Sequence, residues 1–170
     1  NGQCLLPERP RPAVINNFAC SPVMTAALRV PAKGGSMRVI EVLDGQLITP
    51  EQHMSPTVRE GLAVSDLGRG LLKLVVQNRY ANVPPAVGFT TGWGPFQGGL
   101  ASSVAHDSHN IVAVGSSDED IVTAMNAVIG ARGGIAFARG SHTSLLELPL
   151  AGLMALGEVR DTARLLSGIN

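Results

Sequence analysis

The chain of 170 residues is long enough to bury a proper core as one domain, so neither disulfides nor a structural metal are needed to hold it. It is 45% hydrophobic but only 15% charged and 4% aromatic, with 20 glycines and 11 prolines, the makeup of a globular chain of small apolar residues and many turns, not of a disordered one. Thirteen basic and thirteen acidic side chains cancel and no basic stripe occurs, which argues against a nucleic-acid partner; apolar runs such as Leu71 to Val76 fall far short of the roughly 20 residues of a membrane helix, and the first residues lack a signal peptide's order, so a cytoplasmic protein away from the membrane is expected.

In chain order, Asn1-Gly2 reads as a hairpin turn followed by a short strand, Gln3 to Leu6, without the strand that would precede it, so the chain reads as cut from something longer. Pro7, Pro10 and Pro12, with Glu8, Arg9 and Arg11 between them, form a stiff polar linker. The domain boundary is placed there: residues 1–13 as linker and the end of a preceding unit, 14–170 as one domain. Cys4 and Cys20 form no CxxC and read as a reduced, non-catalytic pair.

From Met37, Val39, Ile40, Val42 and Leu43 and then Leu47-Ile48-Thr49 predict two strands joined around Asp44-Gly45, with "TPEQHMSPTVREG" as a loop. Leu71 to Gln77 predicts a buried strand. A further β block begins at Ala86, where "AVGFTTGWGPFQGGL" is so rich in glycine that the backbone must approach something closely or turn repeatedly. Ile111 to Val114 is another short strand, ended by Gly115.

One helix follows: Ser117 is a suitable N-cap with Asp120 at the third position, Asp118 and Glu119 favour the positive end of the helix dipole, and Ile121, Met125, Val128 and Ile129 recur at helical spacing until Gly130, Gly133 and Gly134 stop it. "GIAFARG" and "SLLELPL" predict two strands about Gly140, and "LGEVRDTARLLSG" a short amphipathic helix. Strands dominate and the helices come late, which predicts a layered α+β domain with a mostly antiparallel or mixed sheet and a few helices.

The chemistry-bearing stretch is "SSVAHDSHNIVAVGSSDED", residues 102 to 120. His106 and His109 suit a transition metal, but even an open site needs about three ligands, and His53 or His142 would have to arrive from distant loops. An imidazole titrating near neutrality, an orienting carboxylate and a hydroxyl equally suit acid/base or substrate-recognition work; the plainer alternative is that His106, Asp107 and Ser108 satisfy backbone groups in a turn. "GWGPFQGG" lacks the lysine and hydroxyl of a P-loop and precedes no helix, so a tight irregular loop is favoured over an anion cradle. Trp93 and Phe96 could stack on a flat ligand, although core is the commoner fate of such aromatics. Asp118, Glu119 and Asp120 are explained by a first helical turn.

"GGLASSVAHDSHNIVAVGSSDEDIVTAMNAV" closely resembles the C-terminal domain of bacterial and archaeal adenine deaminases, of the amidohydrolase superfamily. "VINNF" at 14–18, "RVIEVLDGQLIT" at 38–49, "NRY" at 78–80, "GG" at 133–134 and "LPLAGLM" at 148–154 support it in order. "LELPLAGLM" departs from the family's usual "LPLPIAGLM", and the 131–148 hairpin is less regular. The resemblance implies a preceding metal-dependent (β/α)8 barrel and small β-sandwich, the latter ending in "NGQCLL". It implies an intact enzyme of purine salvage that hydrolyses adenine to hypoxanthine and ammonia with a binuclear manganese or iron centre, or zinc, held in that barrel. No metal ligand and no catalytic residue is expected in these 170 residues, which alone are expected not to turn over adenine. His106, Asp107 and Ser108 are the candidate adenine-binding residues, with His109 and Asn110 bracing the turn. The barrel is the expected partner, in a homo-oligomer. The alternative is a stand-alone, non-catalytic purine-binding or oligomerisation domain.

Overall fold

The computed structural model describes residues 16–169; the expected strand at Gln3 to Leu6, the proline linker, Cys4, Val14 and Ile15 lie outside them. A 3-10 turn at Thr25–Leu28 precedes β1 (Val30–Pro31), β2 (Met37–Glu41), β3 (Glu51–Met54), β4 (Thr57–Arg59) and β5 (Leu62–Val64). After a second 3-10 turn come β6 (Leu72–Gln77), β7 (Ala86–Thr91), β8 (Gly99–Ser102), β9 (Ile111–Gly115), α1 (Asp118–Gly130), β10 (Gly134–Arg139), β11 (His142–Glu147) and α2 (Val159–Ser167). Eight strands form one sheet in the order β11-β10-β8-β9-β6-β7-β2-β3, and β1-β5-β4 form a small second sheet. All neighbours in the large sheet are antiparallel except β2 and β7. The expected α+β class with a mostly antiparallel sheet is what forms.

The small apolar residues explain how α1 lies on this sheet. Registers align Val75, Ala113, Ala101 and Ala136 across β6, β9, β8 and β10, and Lys73, Gly115, Gly99 and Ala138 in the next row. Alternation sends both rows to one face. Against it α1 buries Ile121, Ala124, Met125, Val128 and Ile129, an i, i+3, i+4, i+7, i+8 stripe. A Cβ on Gly99 would overlap the Asp120 backbone, so glycine there is what lets the helix approach. A second cluster, Val39, Ala63, Leu71 and Phe89, packs β2 and β7 beneath the small sheet. On the opposite face, Leu100, Ile135, Phe137 and Leu146 gather Ala155 and Ile169 from the C-terminal segment.

Ser117 caps α1 as its sequence predicts, its hydroxyl accepting from the Asp120 N–H at 3.2 Å. Two expectations are corrected. Leu47, Ile48 and Thr49 form no strand: they sit in a loop with Leu47 and Ile48 exposed, and β2 pairs instead with Glu51–Met54. Consequently "TPEQHMSPTVREG" is not a loop, since it holds both β3 and β4.

Candidate functional site

Residues 103–110 join β8 to β9 at one end of the large sheet. The base of this loop is fixed from inside. Ser103 is fully buried; its hydroxyl donates to the Gly152 carbonyl at 2.6 Å and accepts from the Gly134 N–H at 2.9 Å. The Gly152 turn is held in turn by Arg79, which is 4% exposed. Its guanidinium donates to the Ala151 carbonyl at 2.8 Å and to the Tyr80 hydroxyl at 2.9 Å, and lies 4.9 Å from the Phe18 ring centroid and 4.8 Å from that of Tyr80. These rings offset part of the cost of burying a cation with no carboxylate partner among the described residues. A Cβ on Gly152 would overlap that guanidinium, and its φ is +74°, so both space and backbone demand glycine. Asn16 closes the same corner, its amide donating to the carbonyls of Arg132 and Pro149.

On this frame stands a polar tip. The side chains of His106 and Asp107 are 94% and 93% exposed, and Ser108 is exposed too. His106 Nδ1 accepts from the Asp107 N–H at 2.8 Å and lies 2.9 Å from Asp107 Oδ1. Which contact is a hydrogen bond depends on the ring tautomer: a bare Nδ1 accepts from the N–H, and an Nδ1–H donates to the carboxylate. The Ser108 hydroxyl accepts from the Asn110 N–H at 3.4 Å, and the His109 N–H closes the turn on Ala105 at 2.7 Å. His109 and Asn110 are half-buried.

Strain and unmet hydrogen bonding concentrate here. Of the five non-glycine residues with positive φ among the described residues, Asp107 (67°), His109 (48°), Arg132 (55°) and Ala151 (55°) belong to this loop or its frame. The three buried side-chain atoms without a hydrogen-bond partner among the described residues are Asn16 Oδ1, Arg79 Nε and His109 Nδ1. Such features cost about 1–3 kcal/mol each and gather where a structure is shaped for something besides its own stability.

The other histidines stay apart. His53 is on β3, 2.9 Å from Glu51, and His142 on β11, the opposite edges of the large sheet. Among the described residues no group of three His, Cys, Asp or Glu comes together as a metal donor set. Asp118 has a task beyond the helix dipole: it takes a 2.6 Å contact from Lys73, a lysine 2% exposed that also donates to the Leu28 carbonyl. Trp93 and Phe96 are not core: Trp93 is exposed and Phe96 half-buried. Residue-by-residue reading overlooked Ser103, Arg79, Asn16 and Gly152 as the frame. The one local signal was an arginine two residues after the buried run 71–77.

A family model described as the adenine deaminase C-terminal domain matches residues 46–170. The chain is 43% identical to an adenine deaminase of Parabacteroides distasonis over 95% of its own length and 30% of that protein's. It is 50% identical to one of Salinibacter ruber over 84% of the chain and 26% of the relative. With the adenine deaminase of Methanosarcina acetivorans the figures are 44%, 91% and 30%. The chain thus spans under a third of the length of these relatives.

Proposed function

Because the chain belongs to the adenine deaminase C-terminal domain family, we propose that it acts as the C-terminal part of an enzyme that hydrolyses adenine to hypoxanthine and ammonia, offering His106, Asp107 and Ser108 to the purine. The domain spans residues 14–170 and follows a β-sandwich end and linker at 1–13. A barrel domain is its partner, and the whole works as a homo-oligomer in cytoplasmic purine salvage.

The observation that carries this reading is a polar tip held out to solvent on a rigid, strained base. His106 and Asp107 are almost wholly exposed, and so open to a ligand. Adenine presents ring nitrogens that accept and an exocyclic amine that donates. The Asp107 carboxylate is suited to accept from the amine, while His106 Nε2 and the Ser108 hydroxyl can give or take a hydrogen bond at the ring edge. A site built this way rejects analogues that leave those groups unpaired. Bracing by His109 and Asn110 limits what the tip loses on binding.

A binuclear manganese, iron or zinc centre in the barrel would supply hydroxide at neutral pH. The part we assign to this chain is binding and orientation. In the intact enzyme, His106→Ala and Asp107→Ala are expected to lower kcat/KM for adenine about 10- to 100-fold, the scale of one hydrogen bond to a charged group, with the fold retained. Unchanged kcat/KM in both variants would sink the assignment.

A further inference from the structure

A pocket of about 910 Å³ opens at the other end of β8 from the polar tip, within the size range of small-molecule sites. The glycine-rich stretch forms one wall through Gly94–Gln97, and Gly168 and Ile169, just after α2, form another. Its floor is apolar and aromatic: Leu100 and Phe137 rise from the sheet, and Phe96 meets Phe137 edge-on with centroids 6.2 Å apart. Among the described residues, the ionisable side chains on its lining are Arg139 and His142, with no carboxylate beside them. Arg139 donates to the Gln97 side chain, and His142 contacts the Ser144 hydroxyl at 3.0 Å.

We propose that this pocket binds a planar aromatic ring carrying an anionic group, the ring lying against Phe96, Leu100 and Phe137 and the anion on Arg139. An aromatic floor gains most from a flat apolar body. A guanidinium already oriented by Gln97 offers a fork that matches carboxylate or phosphate. The glycines at 92 and 94, both with positive φ, let the chain turn sharply enough to leave Phe96 on the wall of the pocket. This site stands apart from the polar tip, so it does not depend on the adenine reading.

The test is calorimetric titration of the intact protein with 2-naphthyl phosphate and 2-naphthoate, which resemble no purine, against 2-naphthol and inorganic phosphate as controls. At least one aryl anion should bind at least about tenfold more tightly than both controls, and Arg139→Gln should remove that advantage while leaving 2-naphthol binding and adenine turnover unchanged. Arg139→Lys, which keeps the charge without the fork, should fall between. Whichever anion binds more tightly identifies the group the site prefers. No saturable binding of either aryl anion at millimolar concentration, or affinity indifferent to Arg139→Gln, overturns the proposal. So does displacement of the aryl anion by adenine, which would place it at the polar tip.

Discussion

Ser103→Ala is the sharpest test of the frame beneath the polar tip. The hydroxyl is fully buried and joins the Gly134 N–H to the Gly152 carbonyl. Alanine keeps the backbone and almost the volume, leaving a space of one oxygen, too small for a water. Two buried groups lose their partner together, each at about 1–3 kcal/mol, so a loss of about 3 kcal/mol is a moderate expectation. For a domain of this length that lowers Tm by about 6–12 °C. The assay is urea unfolding followed by fluorescence of the single tryptophan, Trp93. Trp93 precedes the Gly99 end of β8, remote from Ser103, so it reports global unfolding and not local loosening. Ser108→Ala is the matched control: that hydroxyl is exposed and makes one long contact, and its loss should stay within about 0.5 kcal/mol. A Ser103→Ala loss below about 0.5 kcal/mol, or equal losses in the two variants, would refute the claim that the tip is anchored through Ser103.

Lys73→Met fills the lysine's stem but strands the Leu28 carbonyl and the Asp118 carboxylate; since Asp118 keeps some contact with water, the expected loss is about 1–3 kcal/mol in urea unfolding, and adding Asp118→Asn should cost less than it does alone. Burial pushes the Cys20 thiol above its ordinary value, its backbone hydrogen bond and Arg79 opposing. The folded state therefore holds this proton more tightly than the unfolded chain does, and the resulting stability is present below the unfolded thiol pKa and lost as pH rises through the raised one; Cys20→Ala should flatten that alkaline decline, and iodoacetamide should label folded Cys20 only above the pH that labels the unfolded chain.

The elements legible from sequence were those whose local pattern and tertiary burial agree. Leu72–Gln77 and Ile111–Gly115 lie mid-sheet and are mostly apolar without a clean alternation; α1 carries both a cap and a stripe. Errors fell where the two part company. Leu47 and Ile48 have strand-like side chains but no neighbour, while Glu51–Met54 is an edge strand whose first three residues are polar and which carries almost no hydrophobic signal. Strands of two or three residues in the small sheet are too short to show any period. The end of α1 was placed correctly by its glycines, but the left-handed residue after it is Arg132, at φ 55°, followed by Gly133. There the Asn16 carbonyl accepts from Arg132 at 3.2 Å, a contact between residues far apart in the chain that no local rule anticipates.

The tip and its frame differ in the same way. His106, Asp107 and Ser108 stood out because three polar groups side by side between apolar strands are visible along the chain. The frame is visible only in space: Asn16, Arg79, Ser103 and Gly152 come from four separate segments, and each is unremarkable where it stands. Packing supplies the reason for each. Arg79 fills the volume a Cβ at 152 would occupy, Gly152 then turns its carbonyl to Ser103, and Ser103 ties that carbonyl to the start of β10. The segments "NRY", "SVAHDSHN", "GG" and "LPLAGLM", scattered through the sequence, therefore answer to one constraint. A substitution in any of them that moves Arg79 or Ser103 should be felt at His106, although none of those frame residues needs to touch a purine.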